Sequence, residues 1–187
     1  NSGDSIGTRL TISSTGLATF TGDLLVGSLD IGHGLGADPQ STAVGTDALD
    51  ASHSGSIHNT AIGHDALTAL NADAADYNTA VGSGSGAAIT SGAQNTAVGY
   101  QSLGGTDDGQ YNVAMGHQTL LGNCGDHNTG LGYYALNAFT GQYATAIGSL
   151  AADAATTAAN TTAIGYGALS ALTDGTSNTA VGAYALW

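Results

Sequence analysis

The stretch Asn95–Leu103, which reads Asn-Thr-Ala-Val-Gly-Tyr-Gln-Ser-Leu, decides the fold because variants of it recur along the chain. Nine copies of the phrase Asn-Thr-Ala-aliphatic-Gly-x-x-Ala-Leu span residues 40–187, and their central glycines are 16 to 19 residues apart. The residue before the glycine is aliphatic in every copy, and seven of the nine copies carry Leu four residues after it. A short repeat of this kind predicts a solenoid in which each copy forms one coil. The structural repeat glycines are Gly45, Gly63, Gly82, Gly99, Gly116, Gly132, Gly148, Gly165 and Gly182.

Each coil is predicted to contribute two short strands to opposite walls of a flattened roll. Residues two apart on a strand share a face, so the Thr and the aliphatic residue point one way and the Ala points the other. We expect the aliphatic residue to be buried and the Ala row to lie outside. The glycine permits a corner, after which the Ala-Leu pair is predicted to form the second strand. The repeated Asn is expected to form a ladder between coils, with members Asn59, Asn78, Asn95, Asn112, Asn128 and Asn178.

Composition excludes several classes of function. The 187 residues include 14 acidic side chains, all Asp, and a single cation, Arg9, for a net charge of -13. So few cations exclude nucleic acid and anionic membrane surfaces as partners. A catalytic Lys, a P-loop and a His-Glu-x-x-His zinc helix are excluded because the required residues are absent. No stretch reaches the roughly 18 apolar residues of a membrane helix, so we predict no membrane insertion. The lone Cys124 is interpreted as a small packing residue, with pairing between chains as the alternative.

The repeat resembles the head repeat of trimeric autotransporter adhesins, whose coils read Asn-Ser-Val-Ala-Ile-Gly. It resembles even more closely bacteriophage tail fibres and related bacterial surface fibres, in which runs such as Asn-Thr-Ala-Val-Gly-Tyr-x-x-Leu recur. The resemblance covers about four fifths of the chain. It implies a left-handed parallel β-roll and a homotrimer, although the coils are longer here than in the adhesin heads and the third copy has Ser85 and Gly86 in place of Ala-Leu.

We therefore predict an all-β, homotrimeric parallel β-roll, or β-solenoid, of about nine coils. An apolar Ala row outside the coil would support a trimer because it would need another surface against it. Residues 1–39 lack the repeat and are predicted to form a β-rich neck or lead-in segment completed by other chains, while residues 40–187 form the head.

The tyrosines are the candidate contact residues. All eight lie five residues before a repeat glycine, one after it or two after it. Rows of this kind could stack sugars or fill grooves between subunits, and groove filling is the preferred interpretation. Candidate receptor contacts are Tyr100, Tyr133, Tyr134, Tyr166, Tyr184 and Trp187.

Metal binding and catalysis find little support in the sequence. The six His are interpreted as exposed turn residues rather than a site on a threefold axis, and we predict no metal and no cofactor. The Asp-rich loops, including Asp107 and Asp108, are interpreted as solvating the rod, with calcium or glycan binding as alternatives. The Gly-x-Ser-x-Gly match at residues 3–7 is interpreted as coincidence, and the Gly/Ser run at residues 82–86 as a flexible corner. We predict that the protein is not an enzyme.

The expected function is structural and adhesive. We expect a segment of an extracellular attachment fibre, a viral tail fibre or spike that meets a host-surface glycan or protein receptor. The alternatives are a bacterial trimeric surface adhesin head and a glycan depolymerase spike. Ice binding by the Thr found in eight copies is disfavoured, because this Thr is expected to point inward with the aliphatic residue and has no Thr-x-Thr partner.

Overall fold

A computed structural model describes residues 24–26, 29–32, 40–51 and 55–186. All strands among these residues belong to one 11-stranded sheet in chain order, and none of the described residues is helical, so the described fold is all-β. The strands are β1 (Leu24–Val26), β2 (Leu29–Gly32), β3 (Thr42–Val44), β4 (Thr60–Ile62), β5 (Thr79–Val81), β6 (Thr96–Val98), β7 (Val113–Met115), β8 (Thr129–Leu131), β9 (Thr145–Ile147), β10 (Thr162–Ile164) and β11 (Thr179–Val181).

The nine strands β3 to β11 pair in parallel and in register, one strand from each copy of the repeat. The Thr slot lies beside the Thr slot, Ala beside Ala and aliphatic beside aliphatic, as in the pairs Thr79 with Thr96 and Val81 with Val98. Because consecutive strands are neighbours and run the same way, the chain returns to the start of the next strand after each copy. This is a parallel β-solenoid, and it confirms the predicted fold at that level.

Antiparallel strands lie at the N-terminal edge of the sheet. Strand β1 pairs with β2, and β2 pairs antiparallel with β3, with Ile31 opposite Val44. Strands β1 and β2 lie within the predicted lead-in segment, most of which falls outside the described residues. The described part therefore covers the edge that the first repeat strand would otherwise leave unpaired.

The predicted inside and outside of the repeat strands are wrong, and the two faces are reversed. The central residue of each strand from β3 to β11 is buried, and it is Ala in every copy but one, where it is Gly130. The aliphatic residues are half-buried to exposed, from 36% for Ile164 to 67% for Val181 among the more exposed ones. Thr and the aliphatic residue do share a face, but it is the outer face.

The predicted second strand is also wrong, because that wall of the coil is built of turns. The Leu of the repeat has a left-handed backbone, for example φ 50° at Leu103, and so does the residue two before it, Gln101 at φ 51°. A strand needs negative φ, so these residues cannot form one. The turns still connect neighbouring coils, since the Leu103 amide donates to the Thr119 carbonyl at 3.0 Å.

The narrow gap between the two walls explains why Ala faces inward. The Leu side chains of the turn wall fill the interior and are buried, as at Leu67 and Leu120, except in the last coil, where Leu186 is exposed. A methyl group added at Gly130 of the sheet would lie 2.5 Å from Thr119 Cγ2 of the turn wall. With large side chains on one wall, close packing leaves room only for small ones on the other. In the third copy, where Gly86 replaces Leu, Ile89 supplies the buried side chain beside it.

The repeated asparagines form a buried ladder. The Asn95 amide nitrogen donates to Asn78 Oδ1 at 3.0 Å, and the Asn112 amide donates to Asn95 Oδ1 at 2.9 Å. Each side-chain Nδ2 in turn donates to a backbone carbonyl, as from Asn95 to Gly109 at 2.8 Å. The ladder runs from Asn59 to Asn128 and satisfies polar backbone groups that have no strand partner. Asn178, in the last copy, bonds within its own loop instead.

Candidate functional site on the outer face

The outer face of the sheet is an uncharged row of Thr and aliphatic side chains. None of the strands β3 to β11 contains a charged residue. Most of the described Asp residues instead lie in the turns and loops, for example Asp73 and Asp107. We call the outward aliphatic residues the aliphatic ridge, which consists of Val44, Ile62, Val81, Val98, Met115, Leu131, Ile147, Ile164 and Val181. The register of the strands places these side chains in one line along the solenoid.

A row of aromatic and polar side chains precedes the strands, in the slot five residues before each repeat glycine. Its rings stack on one another from coil to coil. The rings of Tyr111 and His127 have centroids 4.8 Å apart and planes 6° apart, and Tyr143 continues the stack at 5.5 Å and 10°. His58 and Tyr77 form a second stack at 5.0 Å and 23°. We call this set the upstream row.

The backbone explains why the upstream row is regular. Its members have φ of 58° or 59°, the left-handed region, in every coil from His58 to Tyr143. A fixed backbone conformation at a fixed slot sends the side chains in the same direction, and the coil spacing of about 4.8 Å matches the distance of ring stacking. The sequence shows that His58 and His127 share a slot, and the tyrosines of the upstream row occupy that same slot. Joining these two observations would have found the stacks.

A second aromatic group follows the strands. His117 stacks on Tyr133 and Tyr134, with centroids 5.4 Å and 5.7 Å away, and Tyr100 approaches its ring at 5.1 Å. The structure therefore brings three of the predicted contact residues together around a histidine that was not among them. We call Tyr100, His117, Tyr133 and Tyr134 the downstream cluster.

The remaining predicted contact residues lie apart from this cluster. Tyr166 and Tyr184 form an edge-to-face pair with centroids 5.1 Å apart, and both are exposed. Trp187 lies outside the described residues.

Stacking limits what the aromatic rings can offer to a ligand. Parallel rings whose centroids are about one coil apart turn their faces toward each other and their edges toward solvent. Sugars bind aromatic rings on the face, so the rings inside a stack offer edges, hydroxyl groups and imidazole nitrogens instead. Tyr111 and Tyr143 are 44% and 51% exposed through these edges. The rows are therefore suited to hydrogen bonding more than to sugar stacking.

Reactive groups considered from the sequence are engaged within the fold. Cys124 is buried, which raises the pKa of its thiol, and its sulfur lies 3.2 Å from the Thr106 hydroxyl. A thiol in this position cannot reach a second chain. Ser85, in the Gly/Ser run, is buried and donates to the Ala97 carbonyl at 3.2 Å. Asp107 accepts a hydrogen bond from Thr90, while the Gly-x-Ser-x-Gly match at residues 3–7 lies outside the described residues.

Comparison of the chain with protein-family models, with curated proteins and with solved structures gives no match to any of the three. No helix among the described residues is long and apolar enough to cross a membrane.

Proposed function

We propose that this chain is a structural and adhesive segment of an extracellular, homotrimeric attachment fibre, a viral tail fibre or spike that meets the host surface. The aliphatic ridge is the observation that carries the proposal. It is an uncharged apolar row that runs the length of the repeat and that the described residues leave half-buried to exposed. Contiguous exposed apolar surface of this kind marks an interaction site.

The regular spacing of the ridge supports the proposal that its partner is a second copy of the same chain. An apolar side chain is presented once per coil, so a matching partner must present apolar groups at the same spacing, and another copy in parallel does so. The charge of -13 opposes association of identical chains, but the strands that carry the ridge contain no Asp. Repulsion is therefore weakest where the copies would meet. That three copies assemble follows from the resemblance to trimeric fibres. The Ala row offers no support for this, since it is buried.

The receptor is proposed to be a host-surface glycan or protein, met by the exposed aromatic edges outside the ridge. Tyr133 and Tyr166 are about half exposed. A bacterial trimeric surface adhesin would use the same architecture. A glycan depolymerase would in addition shorten host polysaccharide and lose that activity on a single Asp→Asn change, whereas a binding segment leaves polysaccharide length unchanged.

The mass in solution, measured by light scattering after size exclusion, tests the proposal. We expect three times the chain mass of 18.2 kDa. The double variant Leu131→Asp/Ile147→Asp places charges on the ridge and should give a folded monomer, with an unchanged far-UV circular dichroism spectrum. Thr157→Asp adds a charge on an exposed loop and should leave the trimer intact. A monomeric unmodified chain would refute the fibre proposal.

The outward position of the Thr row favours ice binding as a second candidate function, which would become the leading one if the chain is a monomer in solution. One of the two arguments against ice binding, that Thr points inward, is wrong, because Thr points outward in register with the aliphatic ridge. The other stands, since the outer face of each strand from β3 to β11 carries Thr, or Val in β7, beside an aliphatic residue and no Thr-x-Thr pair. A monomer that lowers the freezing point below the melting point would be an ice-binding solenoid. A trimer that covers the ridge would show no such effect.

A further inference from the structure

Two consecutive coils bring together three metal-ligating side chains at the turn that follows the strands. Asp47 lies two residues after its repeat glycine, and His64 and Asp65 lie one and two residues after the next one. One ligand atom from each residue can be chosen so that all three lie within 4.8 Å of one another. His64 Nδ1 is 2.9 Å from the Asp65 carboxylate, and both side chains are substantially exposed to solvent.

Two other adjacent coils carry Gln in the slots of the two aspartates, and their contact shows how close side chains in these slots come. His117 occupies the slot of His64, and Gln101 and Gln118 occupy the slots of the two aspartates. There the Gln118 Nε2 donates to Gln101 Oε1 at 2.6 Å. Side chains in this slot on adjacent coils are therefore within hydrogen-bond distance of each other, and two amides can form a bond because one donates an N–H to the oxygen of the other.

Two ionised carboxylates in the same arrangement cannot form such a bond, because both are acceptors and neither has a hydrogen to donate. Asp47 and Asp65 are like charges on adjacent coils, and the only Lys or Arg of the chain, Arg9, lies outside the described residues. Among the described residues, which include no Lys or Arg, the positive charge that would relieve their repulsion can come from His64 or from a bound cation. A neutral imidazole with two carboxylates is a donor set that favours Zn²⁺ and similar divalent transition metals over Ca²⁺ or Mg²⁺, which prefer all-oxygen sites.

We propose that Asp47, His64 and Asp65 bind one divalent transition-metal ion of the Zn²⁺ class. Three protein ligands leave a fourth position of a tetrahedral ion open to water or to an oxygen of a ligand. The ion joins two coils near the N-terminal edge of the repeat, so binding also stabilises the folded chain. The linear sequence hides this set because its members come from two copies of the repeat. The prediction of no metal rested on interpreting the six His as exposed turn residues, and this proposal departs from it.

Calorimetric titration of the full chain, without a polyhistidine tag, with Zn²⁺ tests the proposal. Co²⁺ serves as a spectroscopic probe, since a tetrahedral site with nitrogen and oxygen ligands gives a visible absorption band. We expect one ion per chain, and a loss of affinity of roughly tenfold or more in Asp47→Asn, His64→Gln and Asp65→Asn. Asn suits these positions because Asp47 and Asp65 have φ of 57° and 56°, which Asn adopts readily.

His117→Gln is the matched control, because it removes a histidine from the same slot without touching the aspartates. It should bind Zn²⁺ as the unmodified chain does, and all variants should keep the circular dichroism spectrum of the unmodified chain. Absence of saturable Zn²⁺ binding would overturn the proposal. So would binding that survives His64→Gln, or Ca²⁺ binding of equal strength, since either would indicate a nonspecific acidic surface. Loss of binding in His117→Gln would place the metal in the downstream cluster and also overturn it.

Discussion

The two sides of each repeat strand accept side chains of very different size. The inner side of β3 to β11 holds only Ala or Gly, whereas the outer side holds Thr, Val, Ile, Leu and Met. The inner side faces a turn wall at short distance, and the outer side faces nothing within the described chain. The size of an inner side chain is therefore limited by the gap between the two walls. The size of an outer side chain is limited only by whatever surface covers the aliphatic ridge.

Enlarging one inner residue should have the largest effect on stability. Ala97 is 1% exposed, and Ala97→Leu should lower the free energy of unfolding by about 3 kcal/mol because the gap cannot accept three more carbons. The neighbouring outer change Val98→Thr should cost less than about 1 kcal/mol, since Thr occupies the same outer face in most copies and suits a strand. Guanidinium unfolding of both variants measures the difference. Equal costs would mean that the inner side is not limited by the gap.

A double-mutant cycle at Gly130 and Thr119 examines the gap itself. Thr119 occupies a slot that is Ala in several other copies, and its partner strand has Gly where all others have Ala. Gly130→Ala alone should cost about 1–3 kcal/mol through the contact with Thr119 Cγ2. Thr119→Ala alone should cost about 1 kcal/mol, because the hydrogen bond from Thr119 Oγ1 to the Gly132 carbonyl is lost.

The double variant Gly130→Ala/Thr119→Ala restores the common pair of small residues. Its loss of unfolding free energy should be smaller than the sum of the two single losses by about 1 kcal/mol or more, because the added methyl group occupies the space that Thr119 leaves. Additive effects, measured by the same guanidinium titrations, would show that the two walls do not limit each other at this coil.

The smallest effect is expected where the asparagine ladder is interrupted, at Ala144. Ala144 stands in the ladder slot after Asn128, and Thr161 in the next coil has a buried hydroxyl oxygen without a hydrogen-bond partner. Ala144→Asn should raise the unfolding free energy by about 1 kcal/mol by adding the missing amide. Asn112→Ala provides the opposite change and should lower it by about 2 kcal/mol, since it leaves the buried Asn128 amide without its acceptor. Thermal unfolding compares the two, and a loss of stability in Ala144→Asn would indicate that the loop at residues 152–159 has no room for the side chain.

Periodicity made the candidate site only partly predictable. The slots of Tyr133 and Tyr166 were visible in the sequence because each slot keeps its place relative to the repeat glycine. The stacks around His117 and His127 were not predicted, because ring contacts depend on how the coils place the same slot in space. The slot of His127 has a left-handed backbone in successive coils, whereas His117 has no left-handed backbone and meets Tyr133 through the slot one residue after the repeat glycine. The group of Asp47, His64 and Asp65 was missed for a related reason, as its members are 17 and 1 residues apart and only the coil spacing brings them together.

The sequence by itself determined the parallel solenoid, its register and the asparagine ladder. When glycine, aliphatic residue and Asn recur at fixed offsets, coils stacked in register place each residue of the repeat beside the equivalent residue of the next coil. Only the tertiary structure decided which face of the strand is inside and that the second wall consists of turns. Hydrophobicity alone favours burying the aliphatic residue over Ala, but the interior volume is already taken by the Leu of the turn wall. The distance between two walls is a property of the closed coil, and a pattern along one strand does not contain it.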